Sequence, residues 1–106
     1  MEKRANIFFD GLLAGILIKR GSEYLFRYEP SYREDPDAPA VSLSFPKTQA
    51  EYRSKVLFPF FFGLLAEGEN MVLQCRKLKI DEKDHFTRLL KTAGTDTIGA
   101  VTVVEA

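Results

Sequence analysis

Apolar and polar side chains alternate through the first half of the chain, and the alternation predicts strands. Ile7–Phe9 and a run from Leu12 to Lys19 flank Asp10-Gly11, the dipeptide that best tolerates the positive φ values of a two-residue hairpin turn. Arg20-Gly21-Ser22 marks a second turn. Tyr24, Phe26 and Tyr28 then share one face of a third strand at period two, which assigns them to the core. Glu29 to Pro39 reads as a loop, because Pro30, Pro36 and Pro39 stand among Arg33, Glu34, Asp35 and Asp37. Val41-Ser42-Leu43-Ser44-Phe45 alternates apolar and serine positions and predicts a fourth strand, ended by Pro46.

Beyond that point the period changes to that of a helix. Ser54 is placed to cap a helix over Lys55–Leu65, with Pro59 near its start, where a missing N–H is best tolerated. Its core stripe is Leu57, Phe58, Phe61, Leu64 and Leu65. Asn70–Leu78 carries Met71, Val72, Cys75 and Leu78 at helical spacing, with Arg76, Lys77 and Lys79 as a solvated face. Asp81 or Asp84 caps a third helix whose buried stripe is Phe86, Leu89, Leu90 and Ala93, and Gly94 stops it. Gly99–Glu105 supplies a last strand. The expected fold is α+β: a mainly antiparallel sheet with an N-terminal hairpin, three short helices in the second half and a closing C-terminal strand. At 106 residues this is one domain, spanning 1–106.

Composition narrows the chemistry. Fifteen basic residues balance fifteen acidic ones, so the chain-wide positive field of a nucleic-acid or anionic-membrane binder is missing, and direct contact with either is not expected. Arg76, Lys77 and Lys79 are too few to change that. Cys75 stands alone, which excludes an internal disulfide and fits a reducing compartment; the expected location is the cytoplasm. Lys3 and Arg4 precede an apolar stretch, but Asp10 and Gly11 interrupt it and no cleavage site follows, so it is a hairpin and not a signal peptide. The longest uncharged apolar run, Val56–Ala66, falls short of the roughly 20 residues that a membrane span requires. With one His (His85) and one Cys, neither a zinc site nor a base-activated nucleophile can be assembled, and no glycine-rich phosphate loop follows a strand. No catalytic residue, metal or cofactor is expected. The opposite signal comes from Phe60 and Phe62, which fall outside the core stripe of the Lys55–Leu65 segment and make it apolar nearly all round. Such a surplus is a candidate partner surface.

The motifs in order carry a family resemblance. Phe8-Phe9-Asp10-Gly11 with Gly15, Leu25-Phe26-Arg27-Tyr28 and Val41-Ser42-Leu43-Ser44-Phe45-Pro46 come first. Phe60-Phe61, Leu64-Leu65, Glu67-Gly68, Leu89-Leu90, Gly94-Thr95-Asp96 and Gly99-Ala100 follow. Together they resemble the N-terminal subdomain of HipA-like toxin kinases, the Ser/Thr kinases of bacterial toxin–antitoxin modules, from about Ile7 to Val104. Ala66 departs from the family pattern, which has proline there, and Phe62-Gly63 replace polar residues.

The kinase motifs of full-length relatives cannot be mapped onto this chain, so the resemblance is to the stand-alone subdomain of split, three-component modules. It implies a non-catalytic antitoxin that binds and restrains a separate HipA-like kinase chain and, through that complex, meets a helix-turn-helix DNA-binding protein. The candidate partner-binding residues are Phe60 and Phe62 together with the loop residues Glu67, Gly68, Glu69 and Asn70, whose two carboxylates can approach a basic pocket. Two alternatives stay open: an obligatory subunit that completes a split kinase, and a small homodimeric module unrelated to kinases.

Overall fold

The computed structural model describes residues 2–93 and 100–106. Five strands form one antiparallel sheet: β1 (Glu2–Phe9), β2 (Leu12–Arg20), β3 (Glu23–Tyr28), β4 (Glu51–Ser54) and β5 (Val101–Glu105), in the spatial order β4-β3-β2-β1-β5. Four helices punctuate it: α1 (Pro30–Glu34), α2 (Pro59–Phe62), α3 (Gly68–Leu78) and α4 (His85–Thr92). The α+β fold is thus the expected one, with the hairpin first, helices in the second half and a closing strand laid against β1.

Asp10 and Gly11 both have positive φ (49° and 81°), the geometry of the primed hairpin turn that their identities predict. Past Ile7↔Gly15 the register shifts to Phe8↔Leu13, so Ala14 is the extra residue of a β-bulge on β2. Its carbonyl accepts the Glu29 N–H at 2.8 Å, where the chain leaves the sheet.

Pairing Lys19↔Tyr24, Leu17↔Phe26 and Gly15↔Tyr28 sets Tyr24, Phe26 and Tyr28 on the face that meets the helices. There Phe26, Phe45, Phe58, Phe61 and Phe86 build the core with Ile7, Leu17, Leu89 and Val103. Ring centroids 4.7 Å apart for Phe26–Phe45 and 5.8 Å for Phe26–Phe61 lie in the range of favourable tilted aromatic packing. Ile18 and Leu25 are buried on the opposite face, outside that cluster. By register they share it with two ion-pair groups, Glu2 with Arg4 and Arg20, and Glu51 with Arg27 and Arg53.

Three expectations are corrected. Val41–Phe45 is not a strand: Val41 and Phe45 are buried, but Leu43 stands fully in solvent. The Ser42 hydroxyl oxygen accepts the Ser44 N–H at 3.2 Å, and the Phe45 N–H reaches the Ser42 carbonyl at 3.0 Å. Serine therefore bends the backbone here instead of facing water from a pleat. The Tyr28 hydroxyl fixes the turn by donating to the Phe45 carbonyl and accepting the Val41 N–H. The fourth strand is Glu51–Ser54 instead, a short, charged edge segment. The helix over Lys55–Leu65 shrinks to the single turn Pro59–Phe62, because proline forces Phe58 out of the helical region (φ −54°, ψ 136°). Burial along that segment is nevertheless as expected, with Leu57, Phe58, Phe61 and Leu65 inside. Within the expected loop, Pro30 starts α1. Asp84, not Asp81, caps α4 by accepting the Thr87 N–H. The predicted stop at Gly94, the Gly94-Thr95-Asp96 motif and the start at Gly99 lie outside the described residues.

Candidate functional site

The segment between β4 and α3 is where apolar side chains remain uncovered. Proline at position 59 delays the helix, so the chain bends at Lys55 and Val56 after β4 and reaches the turn of α2 through Leu57 and Phe58. Leu57 is buried, whereas Val56 is 66% exposed and Phe62 42% exposed. The ring of Phe62 meets that of His85, the first residue of α4, edge-on at 5.1 Å. These residues, with Tyr24, Pro59 and Gly63, line an open groove of 520 Å³.

Tyr24 forms its floor, and burial, with the Asp84 carboxylate nearby, pushes its hydroxyl above the ordinary tyrosine range. Partial burial disfavours the charged form of Asp84, but it is outweighed by hydrogen bonds from the Thr87 hydroxyl and N–H and by the charges of Lys3 and Lys19. The carboxyl is held below its usual value. The Lys19 ammonium lies 5.8 Å from the Tyr24 ring centroid, within cation–π range.

The predicted partner-binding residues are not gathered into one surface. Phe60 is half-buried, packed edge-on against Phe45 at 6.1 Å and Phe61 at 5.2 Å, and belongs to the rim of the core. Phe62 turns the other way, into the groove. Glu67, Gly68, Glu69 and Asn70 are exposed at the start of α3, with Gly68 at φ +61°. Among the described residues the side chains of Glu67, Glu69 and Asn70 have no hydrogen bond or ion pair, so both carboxylates are free for an external partner. Neither Lys55, Val56, Leu57 nor His85 figures among the residues the sequence singled out for binding. Their convergence depends on β4, which sequence periodicity conceals.

Chemically, the groove offers apolar area, the ammonium group of Lys55 and the imidazole of His85. Among the described residues no cluster of His, Cys, Asp or Glu could hold a metal ion, and no helix is long and apolar enough to cross a membrane. Cys75 is buried on α3.

A sequence profile described as the HipA N-terminal domain matches residues 5–104. An uncharacterized protein of Haemophilus influenzae is 34% identical over 105 residues, 99% of this chain and 94% of that protein. A Sinorhizobium fredii protein named as a kinase, Y4mE, is 28% identical over 97 residues, 91% of this chain but only 23% of its own length. Among solved structures, the N-terminal domain of HipA toxin superposes with a TM-score of 0.73 at 29% identity, covering 98% of this chain and 92% of that one.

Proposed function

Because the chain belongs to the HipA N-terminal domain family, we propose that it is a non-catalytic component of a bacterial toxin–antitoxin module. In this reading it binds a HipA-like Ser/Thr kinase chain in the cytoplasm and restrains it. The observation that carries it is the extent of the match, 5–104, to a domain that lies apart from the catalytic part of HipA. The chain spans about a quarter of Y4mE, so what that protein does as a whole is used only as a pointer to the partner. In this reading the domain meets the kinase chain through an apolar docking face. The uncovered groove at Val56, Phe62 and His85 supports such a face, and the Glu67 and Glu69 carboxylates, without a partner among the described residues, support a second, charged contact.

Co-expression with a HipA-like kinase chain, followed by affinity purification and a growth assay, tests the proposal. Co-purification with rescued growth is the expected result. Co-purification with worsened growth assigns the chain instead to an obligatory subunit that completes the kinase. Absence of binding overturns both.

A further inference from the structure

Cross-strand register places Lys3, Lys19, Tyr24 and Ser54 in one row across β1, β2, β3 and β4. Like charges directly opposite one another on neighbouring strands disfavour the sheet, yet Lys3 and Lys19 occupy such a pair. One carboxylate, Asp84, acts on both ammonium groups, so the pair leaves an excess of positive charge at this edge of the sheet. Tyr24 stands third in the row and floors the groove, and Ser54 leads directly into Lys55 and Val56 on its wall.

Carboxylates around this edge are already engaged. Asp84 feels both Lys3 and Lys19, but its two oxygens accept from the Thr87 N–H and hydroxyl. Glu23, beside Tyr24, lies 3.8 Å from Arg53. Among the described residues Lys3, Lys19 and Lys55 form no ion pair. In a chain whose total charge is zero, the Lys55 ammonium therefore lines an apolar groove whose lip, Val56 and Phe62, stays uncovered, and the Lys19 ammonium lies 5.8 Å from the ring of Tyr24, another of its lining residues.

We infer that this groove is the kinase-docking site and that its occupant is an acidic segment of the kinase. An apolar side chain of that segment sits between Tyr24, Leu57 and Phe62, and neighbouring Asp or Glu residues meet Lys19 and Lys55. The inference rests on the proposed binding of a HipA-like kinase and moves the contact from Phe60 to the opposite side of α2. Complementary charge steers the encounter and fixes register, while the buried apolar anchor holds the complex.

The test measures affinity of the purified chain for the kinase by biolayer interferometry, with melting curves to confirm that each variant folds. Lys19→Glu puts a carboxylate next to Asp84 and can weaken the fold, so the informative variants are at exposed positions. Lys55→Glu is expected to weaken binding roughly threefold to tenfold at low salt, less at high salt, with Lys55→Arg close to wild type. Val56→Asp is expected to weaken it about tenfold or more, and Leu13→Asp, exposed on the far side of the sheet, to leave it unchanged.

Wild-type binding that survives Lys55→Glu and Val56→Asp overturns the docking site and leaves the kinase-binding function standing. No wild-type binding overturns the function itself and the docking site with it. A wild-type dimer that Val56→Asp dissolves without affecting kinase binding gives the groove to a second copy of this chain, which also overturns the inference.

Discussion

Gly15 is where β2 and β3 come too close for any side chain. A Cβ at this position would lie 2.5 Å from the Arg27 carbonyl oxygen and 3.0 Å from the Phe26 ring. The carbonyl belongs to the paired strand and cannot rotate away, and Phe26 is fully buried against Phe45 and Phe61. Gly15→Ala should therefore push the strands apart and cost about 1–3 kcal/mol, as overpacking of a dense core does. In a domain of this size that is a fall in Tm on the order of 10 °C. Calorimetry of the single variant checks it; an unchanged Tm would show that the ladder relaxes freely at the bulge. Gly15 also stands among the family motifs, and the close approach gives its identity a mechanical reason.

At the scale of elements, hairpin and helix caps obey local chemistry, and the α4 cap is the clearest case. Asp84 accepts from the Thr87 N–H at 3.1 Å and from the Thr87 hydroxyl at 2.7 Å. Loss of such a cap costs about 1 kcal/mol, so Asp84→Ala should destabilise the protein by that amount at pH 7. The sign of the pH dependence follows from the depressed folded pKa. The carboxylate's contribution is complete above the unfolded value, near 4, and disappears as the pH falls through the folded one. Denaturant titrations should thus show a gap between wild type and variant at pH 7 that closes below pH 4; a constant gap would assign the effect to packing.

The same local chemistry made the β1–β2 turn, the third strand and α4 legible in the sequence. Val41–Phe45 was misleading because a serine at every second position satisfies both a pleat and a run of hydroxyl-bonded turns, and only Tyr28, distant in sequence, decides between them. Glu51–Ser54 was concealed because an edge strand carries charge where a central one carries valine. With β4 hidden, the sequence pattern places Lys55–Leu57 in a helix, and the groove they wall has no signal in it. Phe62 lies outside the core, as its place off the helical stripe predicts, whereas Phe60 packs on Phe45 and Phe61, and the Phe45 contact comes from a turn that periodicity does not reveal.

Across the whole molecule, stability is unevenly distributed. The sheet and the aromatic cluster hold β1, β2, β3, α2, α4 and β5 together, but α3 adds no residue to that cluster. Cys75 is its one buried side chain, and Leu73 and Leu78 are 60% and 43% exposed. What ties α3 down is Arg88 of α4, which is 3% exposed. Its guanidinium donates to the Ala66 carbonyl at 2.8 Å, just before α3, and to the Glu82 carbonyl at 3.2 Å, just after it. A buried cation that among the described residues is held by carbonyls, with its Nε unpaired there, is a costly clamp for the global fold but a strong local one, each charge-assisted bond contributing about 1.5–3 kcal/mol. Native-state hydrogen exchange should therefore find Gly68–Leu78 the least protected of the longer elements and the β1–β2–β3 amides the most. Arg88→Met keeps the apolar stem and removes both bonds. It should speed exchange in α3 about tenfold or more while leaving the sheet amides within a factor of about three, because the buried charge is lost together with its bonds. An equal loss of protection in the sheet would mean that α3 is part of the same cooperative unit, and that Arg88 holds the whole fold rather than one helix against it.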